Sequence, residues 1–198
     1  MPTTLEGKVA IVTGVSGDGQ IGQAVAKALA ESGAALAICA RTQGNVEARA
    51  QELRQTGARV FVMAGSLTDE SQVGQLIDGT MEEYGRIDIL VNLAGGLTRY
   101  KPAVECSLDD WRTEVDNNLL SAFLTSRAAF PHMQAAGGGV VINFARGPRR
   151  SRVRPADVSA WQVQLQSGLQ RLHYSHGRRR PCGRDAQATL AAGESAVG

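Results

Sequence analysis

Val9-Ala10-Ile11-Val12-Thr13-Gly14-Val15-Ser16-Gly17-Asp18-Gly19-Gln20-Ile21-Gly22, continued by Gln23-Ala24-Val25-Ala26-Lys27-Ala28-Leu29-Ala30, is the stretch that decides the fold. It joins a short apolar strand, a glycine-rich turn and an amphipathic helix. A helix start carries unpaired N–H groups and the positive end of the peptide dipole, so this joint forms a cradle for phosphate. Glycines there let the backbone approach a phosphate with no Cβ between them. Alone, a glycine-rich loop is a weak signal, and its neighbours must support it.

Working outward, strand and helix patterns alternate. Lys8–Thr13 predicts a buried strand and Gln20–Ser32 a helix closed by Gly33. Ala35–Cys39 follows as a second strand, Asn45–Gln55 as a second helix stopped by Gly57, and Arg59–Met63 as a third strand. Thr68 is the expected N-cap of a helix running to Tyr84-Gly85, with Asp69 and Glu70 in its first turn. Ile87–Asn92 is apolar on both faces, as parallel strands tend to be. Ser107-Leu108-Asp109-Asp110 has capping-box form and opens one long helix ending by Ala136; Val140–Phe144 supplies a fifth strand. Strands separated by helices imply an α/β fold, a Rossmann-type doubly wound parallel sheet with helices on both faces. Five strands are found by residue 144 and no sixth follows, so the sheet is expected to be incomplete at its C-terminal strands.

The 198 residues suffice for one large domain. Neither a secretory leader nor an apolar run of membrane length is recognisable, so no membrane partner is expected. Cys39, Cys106 and Cys182 lack the spacing of a disulfide framework or a metal site, which points to a reducing compartment, the cytoplasm. The net charge of +2 conceals a break: residues 1–145 carry 11 basic and 16 acidic side chains, whereas residues 146–198 carry 10 Arg, no Lys and 3 acids. The expected division is therefore a dinucleotide-binding Rossmann domain over 1–145 and an arginine-rich, atypical or disordered tail over 146–198.

The order of features over residues 6–145 resembles the short-chain dehydrogenase/reductase family, in its 3-oxoacyl-ACP-reductase-like form. Thr13-Gly14…Gly19-Gln20-Ile21-Gly22 is similar to the family's TGxxxGxG, in a loop about two residues longer. Either Gly17 or Gly19 could be the middle glycine. The resemblance implies that Gly14, Ser16, Gly19, Ile21 and Gly22 line the adenosine and pyrophosphate. At the end of the second strand, Cys39-Ala40-Arg41-Thr42 offers no carboxylate for ribose hydroxyls but a guanidinium suited to a 2′-phosphate. Arg41 thus implies NADP as cofactor, with NAD the alternative, while Asp18 in the loop could face the same phosphate. Ser66 and Leu67 sit where the family contacts adenine, with Ser66 replacing the usual Asp. Val91-Asn92-Leu93-Ala94-Gly95 looks like NNAG, which implicates Asn92, Ala94 and Gly95. Asn118, in Val115-Asp116-Asn117-Asn118, matches the Asn that supports the catalytic lysine through water.

The family reaction moves hydride between nicotinamide and a carbonyl or alcohol carbon, using a Ser and a Tyr-x-x-x-Lys. Here Arg146 occupies the Ser position after Val140–Ala145, and the Tyr neighbourhood reads Val158-Ser159-Ala160-Trp161-Gln162. Tyr174-Ser175-His176-Gly177-Arg178 lies too far along and pairs Tyr with Arg. Lost periodicity, the arginine surge and the vanished lysines lead to the expectation of a reading-frame shift near residue 146. The expected function is thus hydride transfer by descent with the active site compromised. The alternatives are an inactive dinucleotide-binding module or an unstable truncated product. The implied partners are a small carbonyl or alcohol substrate and a second copy of the chain. Nucleic acid is not expected, since the basic tail lacks interleaved aromatics.

Overall fold

The computed structural model describes residues 4–96, 98 and 103–144. Expectations for Arg146, Tyr174 and the tail lie outside them. Five strands form one parallel sheet: β1 (Val9–Thr13), β2 (Ala35–Ala40), β3 (Val60–Ala64), β4 (Ile89–Asn92) and β5 (Val140–Asn143), in the order β3-β2-β1-β4-β5. Their registers pair Val12 with Ile38 and with Val91, and Asn92 with Asn143. The helices are α1 (Ile21–Glu31), α2 (Gln43–Gln55), α3 (Glu70–Tyr84), α4 (Leu108–Val115) and α5 (Ser121–Ala135).

Period-two alternation divides the core between the two faces of the sheet. Ala10, Val12, Leu36, Ile38 and Val91 belong to a cluster with Ala26 of α1 and Val46, Ala50 and Leu53 of α2. Ile11, Ala37, Cys39 and Leu90 pack instead with Val73, Leu76 and Ile77 of α3 and Leu124, Ala129 and Met133 of α5. All five side chains of β1 are buried, so no face of that strand is left for water. The fully packed surroundings also push the Cys39 thiol up to about 12, through burial, and keep it a neutral thiol.

The chain leaves β1 toward β2 and β3, then returns through α3 to place β4 on the other side of β1. This reversal opens a crevice beyond the carboxyl ends of β1 and β4, where such sheets take ligands. At the opposite end Asp88 pins the sheet. Its carboxylate accepts from the Val9 amide (3.0 Å), Lys8 Nζ (3.1 Å) and Arg86 Nε and Nη2 (2.8 and 2.6 Å).

Four expectations are corrected. The N-cap of α3 is Asp69, not Thr68: Asp69 Oδ1 accepts from the amides of Ser71 and Gln72, whereas the Thr68 hydroxyl is engaged with Ser66 Oγ at 2.9 Å. The expected single helix over 107–136 is interrupted by a π-turn, Asp116–Leu120, between α4 and α5. Its start is as expected, with Ser107 and Asp110 forming a reciprocal capping box. Strand β4 begins at Ile89, not Ile87, and β5 ends at Asn143.

Candidate functional site: a cleft over the glycine loop

At the carboxyl end of the sheet lies a cleft of about 570 Å³. Gly14, Ser16, Gly19, Ile21, Gly22, Arg41, Ser66, Leu67, Ala94 and Gly95, scattered over more than 80 positions of sequence, all line it. Sequence reasoning missed several further lining residues, among them Thr42, Asn45, Thr98, Asn117 and Ser121.

The floor of the cleft is backbone. Gly14 has φ +77°, and a Cβ built there would lie 2.8 Å from the Ala94 amide nitrogen and the Leu93 carbonyl carbon. At Gly22 a Cβ would stand 2.4 Å from the Gly14 carbonyl oxygen. These two glycines let β1, the start of α1 and the end of β4 close on one another, and side chains at either would force them apart. Gly19 has φ +65° with open space beside it and lines the cleft, whereas the side chain of Gln20 folds over Gly17. Of the two candidates for the middle glycine, the structure therefore brings Gly19 to the site.

Thr13 ties the β4 loop down. Its hydroxyl oxygen accepts from the amides of Leu93 and Ala94, both at 3.0 Å, and donates to the Val91 carbonyl at 3.4 Å. No side chain caps the N-terminus of α1, whose first turn holds Ile21 and Gly22 of the cleft wall. Free amide donors at a helix start, beside glycines without Cβ atoms, suit the phosphates of a dinucleotide. The donor set of the cleft fits such a group.

Arg41 is exposed at the mouth, next to Ala40 at the end of β2. Asp18, expected as a rival for the same phosphate, does not line the cleft; it pairs with Arg49 of α2 at 3.5 Å. Ser66 is held by the first turn of α3, its amide donating to Gln72 Oε1 at 2.7 Å.

Two expected site residues point elsewhere. Asn92 is 4% exposed and its side chain is a clasp inside the fold. Its Nδ2 donates to Asn143 Oδ1 (2.9 Å) and Ser126 Oγ (3.0 Å), and its Oδ1 accepts from the Thr125 hydroxyl (2.7 Å). Asn118 also does not line the cleft. Its Oδ1 accepts from the Gly96 amide (2.8 Å), and its Nδ2 donates to the carbonyls of Gly96 (3.1 Å) and Glu114 (2.9 Å). It fastens the loop after β4 to the π-turn, and the faces of the neighbouring Asn117 and Ser121 reach the cleft instead. Glu114, 1% exposed, completes this anchor by accepting from the amide and hydroxyl of Thr98 at 2.8 and 2.6 Å. The signal that could have exposed it is an acid at the inward position of a helix, four residues before Asn118.

Among the described residues no cluster of His, Cys, Asp and Glu could hold a metal ion, and no helix is long and apolar enough to cross a membrane.

Known proteins carry the same architecture. D-threitol dehydrogenase of Mycolicibacterium smegmatis is 40% identical over 141 residues, which cover 71% of this chain and 53% of that protein. A metagenomic short-chain oxidoreductase solved in complex with NADP superposes with a TM-score of 0.74 at 29% identity, over 84% of this chain and 74% of that one. A 7α-hydroxysteroid dehydrogenase complexed with NADH superposes at 0.75 with 26% identity, over 84% of this chain and 63% of that one. The chain spans about half the length of the curated relatives it matches. The family model for short chain dehydrogenases matches residues 8–146, well over half of the sequence, and the chain belongs to that family.

Proposed function

We propose that this chain binds NADP(H) in the cleft over its glycine loop and turns over little or no carbonyl or alcohol substrate. The observation that carries the reading is the meeting of Arg41, the uncapped start of α1 and the Gly14–Gly22 cradle along one cleft. Gly14, Ser16, Gly19, Ile21 and Gly22 would take the pyrophosphate side, Arg41 the 2′-phosphate, Ser66 and Leu67 the adenine, and Ala94 and Gly95 the nicotinamide half. The bound cofactor would supply a hydride. The side chains that would activate a substrate oxygen are missing, because Arg146 stands at the Ser position and no Tyr-x-x-x-Lys occurs in the sequence. The relatives are complexed with either nucleotide, so the preference rests on Arg41 and on Ala40 in place of a carboxylate.

Fluorescence titration tests the reading. NADPH is expected to bind at least tenfold more tightly than NADH, and Arg41→Ala should erase that difference while sparing NADH. Equal affinity of the unaltered chain for both cofactors would overturn the preference. Robust NADPH oxidation with a carbonyl panel, abolished by Tyr174→Phe, would overturn the lack of turnover.

A further inference from the structure

The long glycine loop is held by a closed ring of polar contacts that the cofactor cleft does not itself use. Asp18 Oδ1 lies 3.5 Å from Arg49 Nη1; Arg49 Nη2 is 2.6 Å from Glu52 Oε1; Glu52 Oε2 accepts from Gln23 Nε2 at 2.5 Å; and Gln23 Oε1 accepts from the Gly19 amide at 2.8 Å. The ring thus leaves the loop at Asp18, crosses α2, returns through α1 and rejoins the loop at the next residue. Arg49 is its hub. The Arg49 side chain is only 14% exposed, and its Nε and Nη1 make no hydrogen bond among the described residues, so Asp18 is the charge that answers that edge of the guanidinium. Asp18 itself is 88% exposed and flanked by Gly17 and Gly19, free of packing that would fix its direction. Gly19 lines the same cleft as Arg41 and Asn45, and Arg49 follows Asn45 by one helical turn.

We propose that Arg49 is a positioning residue for cofactor choice: it holds the Asp18 carboxylate against α2, off the phosphate-binding face, and so leaves Arg41 to the 2′-phosphate. This rests on the NADP(H) reading above. A released Asp18, one residue from the cleft wall, would repel a 2′-phosphate and compete for Arg41, whereas NADH, lacking that phosphate, would be affected far less.

A double-mutant cycle on the full chain tests it, with dissociation constants for NADPH and NADH measured by fluorescence titration. Arg49→Met is expected to weaken NADPH about fivefold and NADH less than twofold. Asp18→Asn alone should change NADPH less than twofold, and adding it to Arg49→Met should restore NADPH to within twofold of the unaltered chain. Arg49→Gln, which removes the charge but keeps a polar donor, carries the same expectation should Arg49→Met melt below the assay temperature. A double variant as weak as Arg49→Met, or equal losses for both cofactors, overturns the proposal in favour of a direct or merely structural role. Arg41→Ala separates the two levels. If it leaves the NADPH preference intact, the NADP(H) reading itself fails; if it erases the preference while the Arg49 variants change nothing, only the role of Arg49 fails.

Discussion

At Gly14 two independent constraints coincide, a left-handed φ of +77° and a Cβ position 2.8 Å from the backbone of residues 93 and 94. Gly14→Ala is therefore expected to cost about 2–4 kcal/mol, combining backbone strain with overpacking. Urea denaturation measures the loss, and a change below ~1 kcal/mol would contradict the close approach. Asp88 gives a pH-dependent counterpart. Burial pushes its carboxyl up, but the hydrogen bonds from Arg86, the Val9 amide and Lys8 outweigh burial and hold it below the ordinary carboxylate value. Because the folded value lies below the unfolded one, the stabilisation is present above the unfolded value, near 4, and is lost as pH falls through the folded value. Asp88→Asn should destabilise the chain by about 1–3 kcal/mol at pH 7. That deficit should shrink steadily in melts taken below pH 4; a pH-independent deficit would assign the effect to packing alone.

Among the elements, the α4–π-turn–α5 rod departs most from what periodicity forecasts. A 3.6-residue repeat places the apolar stripe of a helix but is nearly blind to one widened turn within it. Here the Ser121 amide bonds to the Asp116 carbonyl, five residues back, and Asn118 Nδ2 donates to the Glu114 carbonyl one turn earlier. Asn118→Ala is expected to lower stability by about 1–2 kcal/mol and to speed hydrogen exchange at Gly96, whose amide loses its acceptor. Asn118→Asp should cost more at pH 7, since a carboxylate would then face Glu114 Oε2, now 3.3 Å from Asn118 Nδ2, and two carbonyls. Equal or smaller cost for Asp would show that the turn does not depend on the Asn amide. The cap of α3 shows the same limit on a smaller scale. Thr68 and Asp69 are both good cap types; in the fold Asp69 takes the amides of Ser71 and Gln72, while the Thr68 hydroxyl pairs with Ser66 Oγ.

For the molecule as a whole, the sheet is unevenly protected. Among the described residues β1 lies at the centre with every side chain buried, while β5 ends the strand order, with Val140 and Ile142, and Phe144 just beyond it, at 54%, 42% and 45% exposure. An edge strand with an exposed apolar row is a template for pairing with other chains. Ile142→Lys should reduce concentration-dependent light scattering while costing less than about 1 kcal/mol, because the site is already open to water. Unchanged scattering would place the association surface elsewhere.

The sequence by itself determined the order of strands and helices, the parallel doubly wound class and the glycine cradle. Those follow from buried apolar runs, capping residues and glycine spacing, all of them local signals that survive in one dimension. It also named about half of the cleft wall, because Gly14, Arg41, Ser66 and Ala94 sit at strand ends, and the ends of parallel strands meet at one edge of the sheet. Only the tertiary structure decided which way polar side chains turn. Asn92 faces Ser126 and Asn143 inside the fold, Asn118 turns to Gly96 and Glu114, and Asp18 pairs with Arg49 across a gap of 31 positions. Such choices depend on which partners lie within about 3 Å after packing, a property of distance between elements that no spacing within one of them records.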